Sequence, residues 1–402
     1  MTIPVKILYV HHGSGEGGAA NSLLYLLQNL DRHRFEPLVA CNFRHPKAQD
    51  FFSRHGFPPV DLQLAPFVHT MKTWRLTTPR GVAKLAQWII VTGPAAKADF
   101  HRLLKETAPD IVHLNGLSIL PLAVVAKRLG IKVVQHVRES INEGHFAIRK
   151  TWLINLARRC TDHIIYICAD NQERMTGRGL GSTVVYNPIE FNKFKAYSRR
   201  TARQNLGIPL ENQVLFFPSG SLFDIKGIIP FLNALADTRI IFPNTCAIIP
   251  GLDRPPHPRD DFRRQIEQLI ESRNLQTAVL RLPFTTAVEE YYASCDIVVA
   301  PFIHPHFSRA VIEAGAMARP VVGSRIGGIT EVLQDGKVGL LATPGDIGDL
   351  AKKICYLTEN QEIAAEMGKA GYDTARRRFD AVDHARAVMG IYDRVLGTPG
   401  IK

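Results

Sequence analysis

Short apolar runs alternate with longer stretches of helical spacing along the whole chain. In the first half such runs occupy residues 6–10, 35–41, 110–116, 132–139, 162–168 and 184–188. In the second half they occupy 214–218, 246–250, 279–282, 296–301, 321–322 and 338–342. They are rich in Val and Ile and read as strands buried on both faces, the pattern of a parallel sheet. Residues 21–30, 228–235, 260–273, 308–317, 346–357, 361–379 and 382–396 read as helices. The alternation predicts an α/β chain with two parallel-sheet domains facing a cleft. Asn187-Pro188 after a short strand, then the polar stretch 192–204, marks the linker. Domains are therefore expected at 1–190 and 191–380, with 381–402 as a terminal helix. No low-complexity tract or short-period repeat breaks the pattern.

The densest chemistry lies at residues 304–331, HPHFSRAVIEAGAMARPVVGSRIGGITE. A loop leaves the strand at 296–301, and Ser308 is expected to cap a helix through about residue 317, kept slim by Ala314, Ala316 and Ala318. Pro320 ends that helix, Val321-Val322 begins the next strand, and Gly327-Gly328 makes a second turn. Two strand–loop–helix passages in succession set free N–H groups at the carboxyl edge of one sheet, where helix N-termini favour phosphate. Glu313 lies four residues after Arg309 on the same helix face, and its carboxylate suits pairs of sugar or ribose hydroxyls. An anion-plus-polyol site is thus expected in the second domain. In the first, the glycine-rich turn 11–20 follows the first strand, with neither a Walker-A lysine nor G-x-G-x-x-G spacing. Two further strands there run to polar ends: one holds His113 and ends at Asn115, the other holds His136 and ends at Arg138-Glu139.

The stretch 304–331 resembles the signature of the retaining glycosyltransferases called family 4. In that family a glutamate, seven residues and a second glutamate begin a helix, followed by small residues, Pro-Val-Val and Gly-Gly-x-x-Glu. Here Glu313-Ala314, Pro320-Val321-Val322 and Gly327-Gly328-Ile329-Thr330-Glu331 match, while Pro305 stands at the first glutamate. His306-Phe307-Ser308-Arg309 looks like a subgroup variant, and His306 is expected to take over the sugar contact that Pro305 cannot make. Residues 219–227 resemble the family's Gly-Arg-Leu…Lys-Gly element, whose arginine and lysine hold the diphosphate. Lys226 matches, Ser221 replaces the arginine, and Arg309 is the candidate substitute cation. The resemblance implies a GT-B fold of two Rossmann-like domains and transfer from a nucleoside-diphosphate sugar with retained configuration. It also implies that the last helix crosses back to the first domain. His136, Lys226 and Glu313 are then the catalytic candidates. Gly17, Gly18, Ser221, Phe284, His306, Phe307, Ser308, Arg309, Gly327 and Gly328 join Lys226 and Glu313 around the donor. His113, Asn115 and Arg138 face the acceptor, a glycan, lipid-linked or small molecule.

Composition bounds the rest. The chain has 402 residues, 46% of them hydrophobic and 21% charged, a soluble globular balance. A net charge of +12 suits a diphosphate substrate, a polyanion or an anionic membrane face, and without zinc-finger or RNA-binding signatures nucleic acid ranks last. The six cysteines show no metal or C-x-x-C spacing and read as reduced, which points to the cytoplasm. The start, MTIPVKILYV, reads as a strand and not as a signal peptide. No Asp-x-Asp occurs, so neither a metal nor a cofactor is expected. Between residues 68 and 105, seven cations including Lys72, Arg80 and Lys84 meet only Asp99 and Glu106, with Trp74 and Trp88-Ile89-Ile90-Val91 interleaved. That segment reads either as a membrane-surface helix, giving peripheral contact with the inner membrane face, or as a core helix with a solvated basic face. The Gly93-Pro94 break favours the core helix. Two other functions fit the same folds: a GT-B nucleotide-sugar epimerase, and a non-catalytic nucleotide-sugar-binding protein, which the changes at Pro305 and Ser221 would explain.

Overall fold

The computed structural model describes residues 3–13, 15–67, 78–141, 147–175, 181–194, 198–218, 222–253, 260–285, 287–305 and 307–397. Two compact units make up the chain, Met1–Pro188 with Ala381–Lys402, and Ile189–Asp380.

The first unit is built on strands β1 (Val5–His11), β2 (Phe35–Asn42), β3 (Val60–Leu62), β4 (Ile111–Asn115), β5 (Lys132–Val137), β6 (His163–Tyr166) and β7 (Ser182–Val184). All pair in parallel, in the order β3-β2-β1-β4-β5-β6-β7. The order reverses between β1 and β4. Successive side chains go to opposite faces of the sheet, and both faces are covered. Leu8, Val10, Val112 and Leu114 pack under the helices Gly93–Thr107 and Ile148–Cys160. Ile7, Tyr9 and Ile111 pack with the helix Gly18–Gln28 and with the terminal helix Ala381–Leu396, which contributes Ala385, Val388, Ile391 and Tyr392.

The second unit holds β8 (Gln213–Phe216), β9 (Thr245–Ile248), β10 (Val279–Leu280), β11 (Ile297–Ala300), β12 (Val321–Ser324) and β13 (Gly339–Ala342). They too are parallel, in the order β10-β9-β8-β11-β12-β13, reversing between β8 and β11.

Three expectations change. Residues 192–204 are not simply a polar linker: the helix Arg199–Asn205 begins there, capped by Ser198. Its Arg203 is fully buried, paired with Asp296 at 2.7 Å and bonded to the carbonyls of Ser294, Leu210 and Asn212. Gly93-Pro94 does not break the preceding helix either. Pro79–Gln87 passes through a π turn, Trp88–Thr92, into Gly93–Thr107, and a Cβ on Gly93 would lie 2.6 Å from the Trp88 carbonyl. The face left bare by that turn is apolar rather than basic, with Ile89, Ile90 and Val91 exposed. Trp74, Lys72 and Arg75 lie outside the described residues. All six cysteines are free, and no helix among the described residues is long and apolar enough to cross a membrane.

Candidate active site

In the second unit the candidate residues gather where the strand order reverses, the place where open α/β sheets take ligands. The chain leaves β8, makes a short 3-10 turn at Asp224–Lys226, and enters the helix Ile228–Ile241. Gly227 joins them at φ +76°, and a Cβ there would lie 1.8 Å from the Pro301 carbonyl oxygen. Only glycine allows this approach. Ile303 N–H donates to the Ile225 carbonyl at 3.2 Å, so the turn is pinned to the loop leaving β11. Lys226 is thereby set with its Nζ 4.6 Å from the Phe302 ring centre. Burial brings its ammonium down to about 8.

That same loop leads into the helix Arg309–Ala316. Ser308 stands at its N-cap, but its side chain makes no capping bond, contrary to expectation, so the first-turn N–H groups gain no acceptor from it. The helix is slim because it must be: a Cβ on Gly315 would lie 2.9 Å from the Gly371 carbonyl of the helix Gln361–Arg378. It ends at Ala316, and Ala318, expected inside it, has left-handed backbone at φ +50°. Glu313 is held from two sides. The Tyr292 hydroxyl donates to its Oε2 at 3.0 Å, and Arg309 Nε lies 3.4 Å from its Oε1. Burial, then the neighbouring carboxylate, pushes the Tyr292 phenol far above its ordinary value, so it stays a donor. After β12, Gly327 turns at φ +53°, and the Gly327 and Gly328 N–H groups donate to no backbone oxygen among the described residues. Phe307 is buried and Phe284, after β10, is 59% exposed. Ser221 and His306 lie outside the described residues.

In the first unit the register aligns His11 with Asn115 and Asn115 with His136 across β1, β4 and β5, at the carboxyl edge. Asn115 is fully buried. Its amide meets His11 Nδ1 at 3.0 Å and its oxygen accepts from Arg138 Nε at 2.8 Å. Arg138 also donates to Asn187 at 2.6 Å. Gly17 opens the helix Gly18–Gln28 at φ −93°, and a Cβ on it would meet nothing within 4 Å. Neither backbone nor packing requires glycine there. Gly116 differs: at φ +139°, its Cβ would strike the His12 ring.

Behind this edge runs a buried relay. Tyr392 donates to the Tyr9 hydroxyl at 3.1 Å and meets His113 Nδ1 at 2.8 Å, and His113 Nε2 meets His136 Nδ1 at 3.3 Å. With the Tyr392 proton on Tyr9, His113 must donate to Tyr392 through Nδ1–H. Its Nε2 then accepts from His136 Nδ1–H, and His136 is left with an unprotonated Nε2. That nitrogen is buried without a partner among the described residues, which costs roughly 1–3 kcal/mol unless something bonds it. Burial, then Arg138, holds both histidines well below the usual range and neutral. Both ring nitrogens of His113 thus meet protein partners, Tyr392 and His136. His113 orients His136.

Sequence reasoning missed His12. Its Nδ1 bonds the Asn115 carbonyl and its Nε2 lies 3.0 Å from Glu139, whose other oxygen accepts from Leu117 N–H at 3.0 Å. Two acceptor-only partners require both ring protons. Burial opposes that charge, yet Glu139 and the Asn115 carbonyl raise the imidazole above its ordinary value. The adjacent pair His11-His12 closing an apolar run was the available signal. Tyr292 and Tyr392 gave none, because their partners are set by helix packing.

Residues 16–193 match the family described as Glycosyltransferase Family 4, and residues 198–374 match Glycosyl transferases group 1. The chain is 26% identical over 236 residues to D-inositol 3-phosphate glycosyltransferase 2 of Catenulispora acidiphila, covering 56% of this chain and 53% of that protein. It is 25% identical over 317 residues to sulfoquinovosyl transferase SQD2 of Arabidopsis thaliana, covering 71% and 57%. The chain thus spans about half the length of the curated relatives it matches. Among solved structures, Anabaena HepE in complex with UDP and glucose superposes with a TM-score of 0.81 at 24% identity, over 97% of this chain and 100% of that one. That likeness concerns the fold, GT-B. The two family matches together take in most of the chain, and it belongs to the group 1, family 4 glycosyltransferases.

Proposed function

We propose that the chain is a retaining, metal-independent hexosyltransferase that moves a sugar from a nucleoside-diphosphate sugar to a glycan, lipid-linked or small-molecule acceptor. It works in the cytoplasm, peripherally at the inner membrane face. The observation that carries this reading is the turn at Gly227, seated on the Pro301 carbonyl, which sets Lys226 over Phe302 at the strand reversal, on the same loop that leads into the helix holding Glu313. Lys226, Arg309 and the Gly327–Gly328 N–H groups offset the charge that develops on the leaving diphosphate. Glu313 keeps lone pairs for hydroxyls of the donor, and Phe284 offers a face for the base. Phe307 and Ser308 are assigned to the sugar's side, and in the first unit Gly17, where a Cβ would meet nothing within 4 Å, leaves the backbone open to close approach. In the first unit Arg138, at the strand end where it bonds Asn115, is assigned to the acceptor, and His136 presents a neutral ring nitrogen. In this reading Lys226, Arg309 and the backbone N–H groups take the part a metal ion would otherwise play at the diphosphate.

The test is nucleotide release by the purified chain with a panel of nucleotide sugars, starting from UDP-glucose. Release accelerated by an acceptor is expected. Binding without release would make the chain a non-catalytic binder, and sugar conversion without acceptor would make it an epimerase. Either outcome overturns the proposal.

A further inference from the structure

On the first unit, the π turn Trp88–Thr92 is anchored from beneath. Trp88 Nε1 donates to the Ala65 carbonyl at 2.9 Å, and its ring meets Phe67 and Trp152 edge-on at 5.1 and 6.4 Å. With Trp88 held inward, the next three residues stand out: Ile89, Ile90 and Val91 are 56%, 73% and 57% exposed. Ile148 and Trp152, 66% and 39% exposed, lie one turn apart on the helix Ile148–Cys160, joined to the π turn by the same aromatic cluster. Isolated exposed aliphatics are ordinary, whereas an anchored apolar group of this kind marks an interaction face.

The surrounding charge identifies the partner. From residue 78 to 98 the cations are Arg80, Lys84 and Lys97, with no carboxylate. From 147 to 160 they are Arg149, Lys150, Arg158 and Arg159, again with none. An apolar protein partner would not need this one-sided charge, and a nucleic acid would not need the isoleucines. Aliphatics flanked in the chain by two stretches that carry cations and no carboxylate, with indoles packed beneath, match the boundary between anionic headgroups and acyl chains.

We propose that this face docks on an anionic lipid bilayer, residues 89–91 entering the headgroup–acyl boundary while the cations meet lipid phosphates. The proposal rests on the membrane location proposed above and is independent of the transfer chemistry.

The test is flotation of the full chain with vesicles of phosphatidylcholine alone or mixed with phosphatidylglycerol. Binding to the mixed vesicles, weak binding to phosphatidylcholine, and loss of binding as salt rises are expected. Ile90→Glu should lower partitioning by about tenfold or more, and Lys84→Glu by about fivefold per cation removed, more with reversal of sign. Ile240→Glu, at an 82% exposed position of the second unit, should change nothing. Circular dichroism and UDP binding by Ile90→Glu should match the wild type, which separates failure of docking from failure of donor binding. Equal binding to both vesicle types, or unchanged binding by Ile90→Glu, overturns the proposal. So does a dimer that Ile90→Glu dissociates, which would assign the face to a second copy of the chain.

Discussion

Replacing Lys226 with methionine keeps most of the side chain's length and its packing on Phe302 but removes the cation. A hydrogen bond to a charged group contributes roughly 1.5–3 kcal/mol, so UDP should bind about ten- to a hundred-fold more weakly near neutral pH. The wild type carries a second signature, because burial brings this ammonium to about 8. Going from about pH 7 to about pH 9, the protonated fraction of such a group falls from about nine-tenths to about one-tenth. If the diphosphate binds only the charged form, the apparent Kd rises about tenfold over that interval. The diphosphate adds no slope of its own, since a terminal phosphate loses its last proton near 6, and the Lys226→Met profile removes any slope that the base adds. Calorimetric titration of both proteins with UDP at several pH values gives both numbers. A flat wild-type profile, or a Lys226→Met profile with the same affinity and slope, refutes the role of Lys226 as the diphosphate cation.

Three further outcomes follow from named contacts. Glu313→Gln keeps an acceptor for Tyr292 but halves the capacity to receive hydroxyl protons, so nucleotide affinity should fall about tenfold with melting temperature nearly unchanged; equal affinity in calorimetry sinks the assignment. Nucleotide release should persist in excess chelator, and loss restored by a divalent ion would show that a metal shares the work of Lys226 and Arg309. Glu139→Gln should lower stability by about 1–2 kcal/mol in denaturant melts below about pH 6.5, where His12 is charged in both folded and unfolded chains. Because the folded value is raised, that contribution is lost as pH rises through it. The difference between wild type and variant is the quantity to plot, because His11, His113 and His136, held low mainly by burial, act oppositely and cost stability as pH falls below the unfolded value. A difference that does not shrink with rising pH contradicts the pairing.

The strands were legible because parallel strands buried on both faces must be continuous apolar runs, and β1, β2, β8, β11 and β13 lie within a residue or two of where those runs fall. The turn at Gly227 was legible through the resemblance to the Lys-Gly element, and its backbone, at φ +76° before the helix Ile228–Ile241, is one that glycine adopts readily. What failed were features set by distant partners. Arg203 looks like a solvated cation in a polar stretch, yet Asp296 and three carbonyls from elsewhere in the chain receive it in the core. Nothing near Gly93-Pro94 signals that a π turn just before them carries the helix on through both residues and turns Ile89 to Val91 outward. His113 carried the right residue type at the right strand end, but only the terminal helix, through Tyr392, decides that its nitrogens are already used.

Transfer with retained configuration from a nucleoside-diphosphate sugar is read out by proton NMR of the reaction mixture. With an α-linked donor that supports nucleotide release, the anomeric signal of the first-formed glycoside should be α, and it should grow as the donor signal declines. A β-linked first product, or a donor consumed only to free sugar whatever acceptor is supplied, would contradict it.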